Sequence, residues 1–124
     1  MSCIFCEYSK EDYIAENELC FAIFDKFPVN EGHALIIPKR HFSNYFDGTS
    51  EEIKAMYDLS HKVKEIIDEK YKPNGYNVGV NVDTAGGQTV MHLHMHIIPR
   101  FNGDIEDPRG GVRRIKKQLV FYAG

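Results

Sequence analysis

The chain has 124 residues, which is enough for one domain with a single hydrophobic core and too few for two. Hydrophobic residues make up 43% and charged residues 27% of the chain, a balance that excludes a disordered or fibrous protein. The formal net charge of -3 gives no global reason to expect a nucleic-acid partner or an anionic membrane surface.

The cysteine count and the absence of long apolar runs indicate in which cellular compartment the protein is expected. No stretch approaches the roughly 18 apolar residues of a membrane span, and the first residues lack the basic start and apolar run of a secretory signal. Three cysteines is an odd number, which argues against a closed disulfide framework. We therefore expect a cytoplasmic protein, in which paired cysteines more often bind metal or do redox chemistry.

Two strands are predicted first along the chain. Residues 18–25 (ELCFAIFD) and 33–37 (HALII) are dense in apolar and β-prone side chains, and the link between them, KFPVNEG, carries Pro, Asn and Gly. Cys20, flanked by Leu19 and Phe21, is interpreted as a core residue.

A long helix follows. Thr49 and Glu52 match a capping box, and Lys72-Pro73-Asn74-Gly75 predicts the end of the helix. The predicted apolar stripe consists of Ile53, Met56, Tyr57, Ser60, Val63, Ile67 and Tyr71. His61 lies beside it and is interpreted as a surface histidine.

The remaining elements are two strands and an irregular end. Residues 76–82 (YNVGVNV) alternate as a strand, 83–87 (DTAGG) are interpreted as a loop, and 90–98 as another strand. From residue 101 the chain is richer in Gly, Arg and Lys, which predicts irregular structure. Together these elements predict one antiparallel α+β domain over residues 1–124, with a core at about 3–100 and a basic segment at 101–124.

Three of the six histidines fall within five residues, in the stretch QTVMHLHMHIIPR. If His92, His94 and His96 lie in a strand, they project from one face, roughly 7 Å apart between neighbours. A solvent-facing strand would be served equally well by Thr, Ser, Lys or Glu. Two functional interpretations remain. One is a metal site. The other is a phosphate-handling site, in which one imidazole is the nucleophile and its neighbours stabilise phosphoryl oxygens.

The stretch His-Leu-His-Met-His-Ile-Ile resembles the signature of the histidine triad superfamily of nucleotide hydrolases and transferases. The segments GHALIIPKRH, FDKFPV and CIFC also resemble segments of that family, so that the likeness covers about residues 3–100. It implies a five-stranded antiparallel sheet with one long helix and a short helix. It also implies a homodimer in which two sheets become continuous.

The resemblance implies a role for each matching residue. His94 would be the nucleophile that takes the nucleoside α-phosphate, and His96 and His33 would flank the phosphate. Asp25 would accept the two ribose hydroxyls. Three further polar side chains would lie near the phosphates or the leaving group: Asn81, Gln88 and Thr89.

The implied reaction is hydrolysis at the α-phosphate of a dinucleoside polyphosphate or a nucleoside phosphoramidate. It would pass through a covalent nucleotidyl-histidine, release a nucleoside monophosphate (AMP is expected) and need no organic cofactor. One alternative is a nucleotidylyltransferase, although that class usually carries His-Pro-His where this chain has Leu93 between histidines. A purine-nucleotide-binding regulator without significant turnover is the other.

The pair Cys3-Ile-Phe-Cys6 has the spacing of zinc sites and of dithiol redox centres. Redox pairs normally open a helix in a βαβ unit, a context that is missing here, so zinc is favoured. The resemblance implies that His41 and His92 complete a structural, four-ligand Zn2+ site. The plain alternative is two unpaired surface thiols.

A basic cluster marks the last quarter of the chain: Arg109, Arg113, Arg114, Lys116 and Lys117. It could contact the distal phosphates or the second base of a dinucleotide, or it could pack on a partner subunit.

Overall fold

The structure is a computed structural model that describes residues 3–116. Five antiparallel strands form one sheet in the order β1-β2-β3-β5-β4, and a single long helix packs on it. The elements are β1 Ala15–Glu16, β2 Cys20–Phe24, β3 Ala34–Pro38, α1 Ser50–Tyr71, β4 Gly75–Val80 and β5 Met95–Arg100. Short 3-10 turns lie at Phe5–Glu7, Lys10–Asp12, Tyr45–Asp47, Thr84–Gly86 and Gly111–Arg113. The predicted α+β fold is confirmed.

The predicted first pair of strands is β2 and β3, which pair from Cys20 opposite Pro38 to Phe24 opposite Ala34. The loop between them must turn beneath the end of α1. A Cβ on Gly32 would lie 2.7 Å from the Tyr71 ring, and Gly32 has a φ of +91° that other residues rarely adopt. Glycine at this position therefore lets the loop approach the helix, and it sets the start of β3 immediately after His33.

Helix α1 begins with the predicted capping box. The Thr49 hydroxyl accepts a hydrogen bond from the Glu52 N–H at 3.0 Å, and the Glu52 carboxylate accepts one from the Thr49 N–H at 2.9 Å. The buried apolar side chains of α1 are Met56, Leu59, Val63 and Ile67. They pack on Cys20 of β2 and Ile36 of β3, and burial of each side chain contributes about 2 kcal/mol.

The predicted stripe was wrong at Tyr57, whose side chain is 63% exposed. Leu59 is buried instead, because the sheet contacts the face of α1 that carries Met56, Val63 and Ile67. His61 is exposed, as predicted, and its ring meets that of Tyr57 edge-on at 4.8 Å.

The last strand begins five residues later than predicted, so His92 and His94 do not share a strand face with His96. The pairing of β3 with β5 ends at Ile36 opposite Met95. Before that point the Leu93 N–H donates to the Phe42 carbonyl at 2.7 Å, beyond the end of β3. The chain at residues 90–94 therefore bends away from the ladder, and its imidazoles point to different surroundings.

The segment after β5 consists of turns and one 3-10 turn as far as residue 116, in line with the predicted irregular structure. Arg109 pairs with Asp107 at 2.9 Å, whereas Lys117 lies outside the described residues. Within residues 3–116, no helix is both long enough and apolar enough to cross a bilayer.

An ion pair between half-exposed Arg40 and buried Glu52 joins the start of α1 to the chain after β3, and it predicts a pH effect. Arg40 donates two hydrogen bonds, of 2.8 and 2.9 Å, to the Glu52 carboxylate, which is 5% exposed. The bond to Arg40 is the main reason that the pKa of Glu52 falls to about 2. Because the folded pKa lies below the unfolded value, this stability is present above about pH 4.5 and is lost as the pH falls towards 2.

In Glu52→Gln we expect the free energy of unfolding to drop by about 2 kcal/mol at pH 7, discounted because Arg40 is half exposed. The difference from the parent should shrink steadily below pH 4.5. Urea unfolding at pH 7 and pH 3 measures both values, with the exposed neighbour Glu51→Gln as control. If the free energies of unfolding of Glu52→Gln and the parent differ by the same amount at pH 7 and pH 3, the ion pair contributes no pH-dependent stability.

Candidate nucleotide and metal sites

Two cysteines and two histidines form one compact cluster at the end of β3. The donor atoms of Cys3, Cys6, His41 and His92 all lie within 4.8 Å of one another. His92 Nδ1 is 3.4 Å from Cys3 Sγ, 3.5 Å from Cys6 Sγ and 3.1 Å from His41 Nδ1. A tetrahedral zinc with ordinary bond lengths would separate its sulfur and nitrogen ligands by about 3.5 Å. These residues could therefore bind a metal ion with little rearrangement.

The hydrogen bonds of the cluster suit metal ligation. His92 Nε2–H donates to the Pro38 carbonyl at 2.8 Å, which leaves the lone pair of Nδ1 facing the thiols. Burial lowers the pKa of His92, so its ring is neutral. Burial, followed by the neighbouring Cys3, raises the pKa of the Cys6 thiol, an effect that a bound cation would reverse. Four protein ligands leave no open position, as in structural zinc sites.

His94 lies beside this cluster, and its two ring nitrogens have different hydrogen-bonding roles. Its Nδ1–H donates to the backbone carbonyl of His92 at 2.9 Å, so Nε2 carries the lone pair. The ring is 8% exposed and meets the Phe5 ring edge-on at 4.9 Å. This arrangement fixes both the tautomer and the orientation that a nucleophilic imidazole requires.

His33 and His96 form a second, directional pair. The Val29 N–H donates to His33 Nδ1 at 3.0 Å, so His33 Nε2 carries hydrogen and donates to His96 Nδ1 at 3.0 Å. His96 must then carry its own hydrogen on Nε2. Burial is the main cause that lowers the pKa of His96 to about 4, and burial also lowers that of His33. The pair is therefore neutral at pH 7, and it presents an N–H donor beside His94, whose ring centroid is 5.1 Å from that of His96.

The same hydrogen bonds disfavour a second metal site. Asp25, His33 and His96 also bring their donor atoms within 4.8 Å of one another, and Asp25 Oδ2 is 3.5 Å from His33 Nε2. A metal would need the lone pair of His33 Nε2. The Val29 N–H facing Nδ1 holds the hydrogen on Nε2 instead.

A cleft of about 260 Å³ opens in front of His94. Asp25, Thr89 and His96 line it together with His94, and its apolar walls come from Ile4, Phe5, Ile23, Leu35 and Val90. Asp25 Oδ1 accepts the Phe27 N–H at 2.9 Å, which steadies the carboxylate. The cleft thus combines a carboxylate, two imidazoles and a hydroxyl with apolar walls, which suits a ligand with both polar and flat apolar parts.

Two of the predicted phosphate-contacting side chains lie elsewhere. Asn81 is exposed and lines a separate groove of about 770 Å³ that also touches His33 and His96. Gln88 is buried: its amide donates to the Ser43 and Val90 carbonyls, and its oxygen accepts the Asp83 N–H. These contacts make Gln88 a support for the loop that presents Thr89.

Residues 7–103 match the family model of the HIT domain. The chain belongs to the HIT domain family. This HIT protein is 39% identical over 106 residues to adenosine 5'-monophosphoramidase of Schizosaccharomyces pombe, which covers 82% of this chain and 77% of that protein. It is 36% identical over 92 residues to AP-4-A phosphorylase of Mycobacterium tuberculosis, covering 73% of this chain and 47% of that protein.

Among solved structures, a Zn-bound histidine triad family protein from Mycobacterium smegmatis superimposes with a TM-score of 0.75 at 34% identity. The alignment covers 83% of this HIT protein and 78% of the neighbour. The expected family and fold are thereby confirmed.

The pattern of residue types did not reveal which backbone groups orient the imidazoles. The carbonyls of His92 and Pro38 and the N–H of Val29 decide which nitrogen of each ring is free. Phe5 was also missed as a neighbour of His94, although its position between the two cysteines was a usable signal.

Proposed function

We propose that this HIT protein is a nucleotide hydrolase that cleaves the α-phosphate linkage of dinucleoside polyphosphates or nucleoside phosphoramidates and releases a purine nucleoside monophosphate. One observation carries the proposal: the His92 carbonyl holds Nδ1–H of His94, so Nε2 is nucleophilic in a cleft that also holds Asp25. The resemblance that implied this activity rests on the same residues.

In the proposed reaction, Asp25 accepts the ribose hydroxyls and the apolar walls take the base. His94 Nε2 attacks the α-phosphorus and the bond to the leaving group breaks. His96 Nε2–H donates to a phosphoryl oxygen, because His33 fixes the hydrogen on that nitrogen. Water then attacks the phosphorus of the intermediate, a phosphorus–oxygen bond forms, and the phosphorus–nitrogen bond breaks. The monophosphate and neutral His94 are freed, and the proton of the water passes to solvent. Positioning and charge stabilisation supply most of the catalysis.

The relatives' names support two versions of this chemistry. A phosphoramidase splits a phosphorus–nitrogen bond with water, whereas a phosphorylase gives the nucleotidyl group to phosphate. The groove that touches His96 also contains Arg114 and Asn81, which would suit a leaving group with further phosphates. The basic cluster would then serve the distal end of a dinucleotide.

A substrate panel with and without inorganic phosphate tests the proposal. Diadenosine polyphosphates and an adenosine–lysine phosphoramidate should each be incubated with the protein and the products separated. Nucleoside monophosphate in the absence of phosphate is the expected product. A nucleoside diphosphate that forms only when phosphate is present would identify a transferase. If no substrate gives a product, the alternative of a nucleotide-binding regulator without turnover would be favoured.

We further propose that the cluster of Cys3, Cys6, His41 and His92 holds a structural zinc. The donor set, the separations and the free Nδ1 of His92 support it. Zinc would join the N-terminal segment to the chain after β3 and before β5. A reducing compartment such as the cytoplasm would keep the two cysteines reduced, and they would lose their protons on binding the metal.

A homodimer with a continuous sheet is also part of the proposal. β4 is an edge strand with Val78 half exposed, and Tyr57 on α1 is exposed. Met56, which precedes Tyr57 in the chain, is buried in the core. Tyr57 and the β4 edge are therefore the surfaces on which the dimer would depend.

A further inference from the structure

We propose that Lys26 and Tyr8 read the base of the bound nucleotide and select 6-oxopurine nucleotides, of the guanine type, over adenine nucleotides. The inference rests on the proposed function, since it concerns the nucleotide held in front of His94. It changes the expected monophosphate from AMP to GMP or IMP.

A row of aromatic rings leads from the nucleophile to Lys26. The centroids of His94 and Phe5 are 4.9 Å apart, and those of Phe5 and Tyr8 are 6.3 Å apart with planes inclined by 28°. The Lys26 Nζ lies 5.3 Å from the centroid of the Tyr8 ring. All four side chains line the same cleft. The row therefore has His94 at one end and a cation at the other.

The linear order of a nucleotide sets which part reaches that cation. With the α-phosphate at His94 and the ribose at Asp25, the base must extend away from the phosphate. Lys26 follows Asp25 directly in the chain, and the base then meets the ring of Tyr8 and the ammonium of Lys26. The contact with Tyr8 is a cation–π interaction that limits the positions of an otherwise mobile side chain.

The Lys26 end of the cleft offers an ammonium that can only donate hydrogen bonds. An ammonium has three donors and no acceptor. Guanine presents two adjacent acceptors, N7 and O6, whereas adenine presents the acceptor N7 beside a donor amino group. Lys26 can donate hydrogen bonds to both N7 and O6 of guanine. In adenine the N6 amino group replaces O6, and two donors cannot form a hydrogen bond with each other. Among the described residues that line the cleft, within 3–116, Lys26 is the one lysine or arginine.

Binding of GMP, IMP and AMP, measured by calorimetry, tests the inference without any turnover. We expect GMP and IMP to bind about fivefold more tightly than AMP, the low end for such contacts because Lys26 is exposed. IMP lacks the 2-amino group, so its equality with GMP assigns the preference to O6 and N7. Lys26→Met should abolish the preference, Lys26→Arg should retain it, and Lys26→Glu should reverse it, since a carboxylate accepts from the adenine amino group.

Lys70→Met is the matched control, because Lys70 also lies over an aromatic ring, at 5.3 Å from the Tyr71 centroid, outside the cleft. Its preference should equal that of the parent. Equal binding of all three nucleotides to the parent protein would overturn the inference while leaving the proposed hydrolysis standing. A preference that survives in Lys26→Met would also overturn it. Failure of any nucleotide to bind would count against the proposed function itself.

Discussion

His94→Ala should lower the rate of nucleoside monophosphate release by about a thousandfold or more, because the only atom proposed to bond the α-phosphorus is removed. The His92 carbonyl holds one nitrogen of the ring and leaves the other to attack. Neither His96 nor His33 can replace it. His33 Nε2 donates to His96 Nδ1, so the remaining His96 nitrogen carries hydrogen rather than a lone pair.

The measurement is product formation on the best substrate of the panel, combined with intact mass after rapid acid-free quenching. The parent protein should show a mass increase of one nucleotidyl group, and His94→Ala should show none. His61→Ala is the control, because His61 is an exposed histidine on α1 that contacts Tyr57. Its rate should equal that of the parent. Turnover that persists in His94→Ala would refute the covalent mechanism.

The double variant Cys3→Ser with Cys6→Ser should lose zinc and much of its thermal stability. The purified parent protein should contain about one zinc per chain, and the variant close to none. We expect the melting temperature to fall by about 10 °C or more, since a metal that binds only the folded chain contributes its binding energy to folding. Elemental analysis and thermal unfolding, each with and without a chelator, measure both effects.

Cys20→Ala separates metal loss from general destabilisation. Cys20 is fully buried in the core between the sheet and α1. Its truncation should cost about 1–2 kcal/mol through a small cavity, yet it should leave the zinc content unchanged. The chelator should lower the melting temperature of the parent and of Cys20→Ala, but not that of the double variant. Unchanged zinc content in the double variant would refute the site.

The elements of this fold were predictable where sequence spacing alone determines them. The capping box at Thr49 and the strands on either side of the turn at residues 25–33 depend on local patterns, and both are confirmed. The start of β5 was not predictable in this way. Alternation of apolar and polar residues continues back to Met91, but the Leu93 N–H donates to a carbonyl 51 residues earlier. A long-range contact thus overrode a local pattern.

In the candidate site, too, some features were predictable from the sequence and others depend on contacts that the sequence does not show. Residue types and a family signature were enough to select the four possible metal ligands and the cleft histidines. They could not show that the Gln88 amide is fully occupied by backbone contacts, because one of its three partners, the Ser43 carbonyl, lies 45 residues away in the chain. Nor could they show which nitrogen of each ring is free, since backbone groups decide it.

His92 serves two neighbouring sites with different parts of itself. Its imidazole faces the thiols, whereas its backbone carbonyl holds His94. Every amino acid has that carbonyl, so only the first of these contributions requires histidine. During evolution a descendant of this chain could therefore exchange His92 and both cysteines for other residues and still keep the backbone carbonyl that orients the His94 ring. The proposed metal site and the proposed catalytic site, though adjacent, are therefore free to diverge separately.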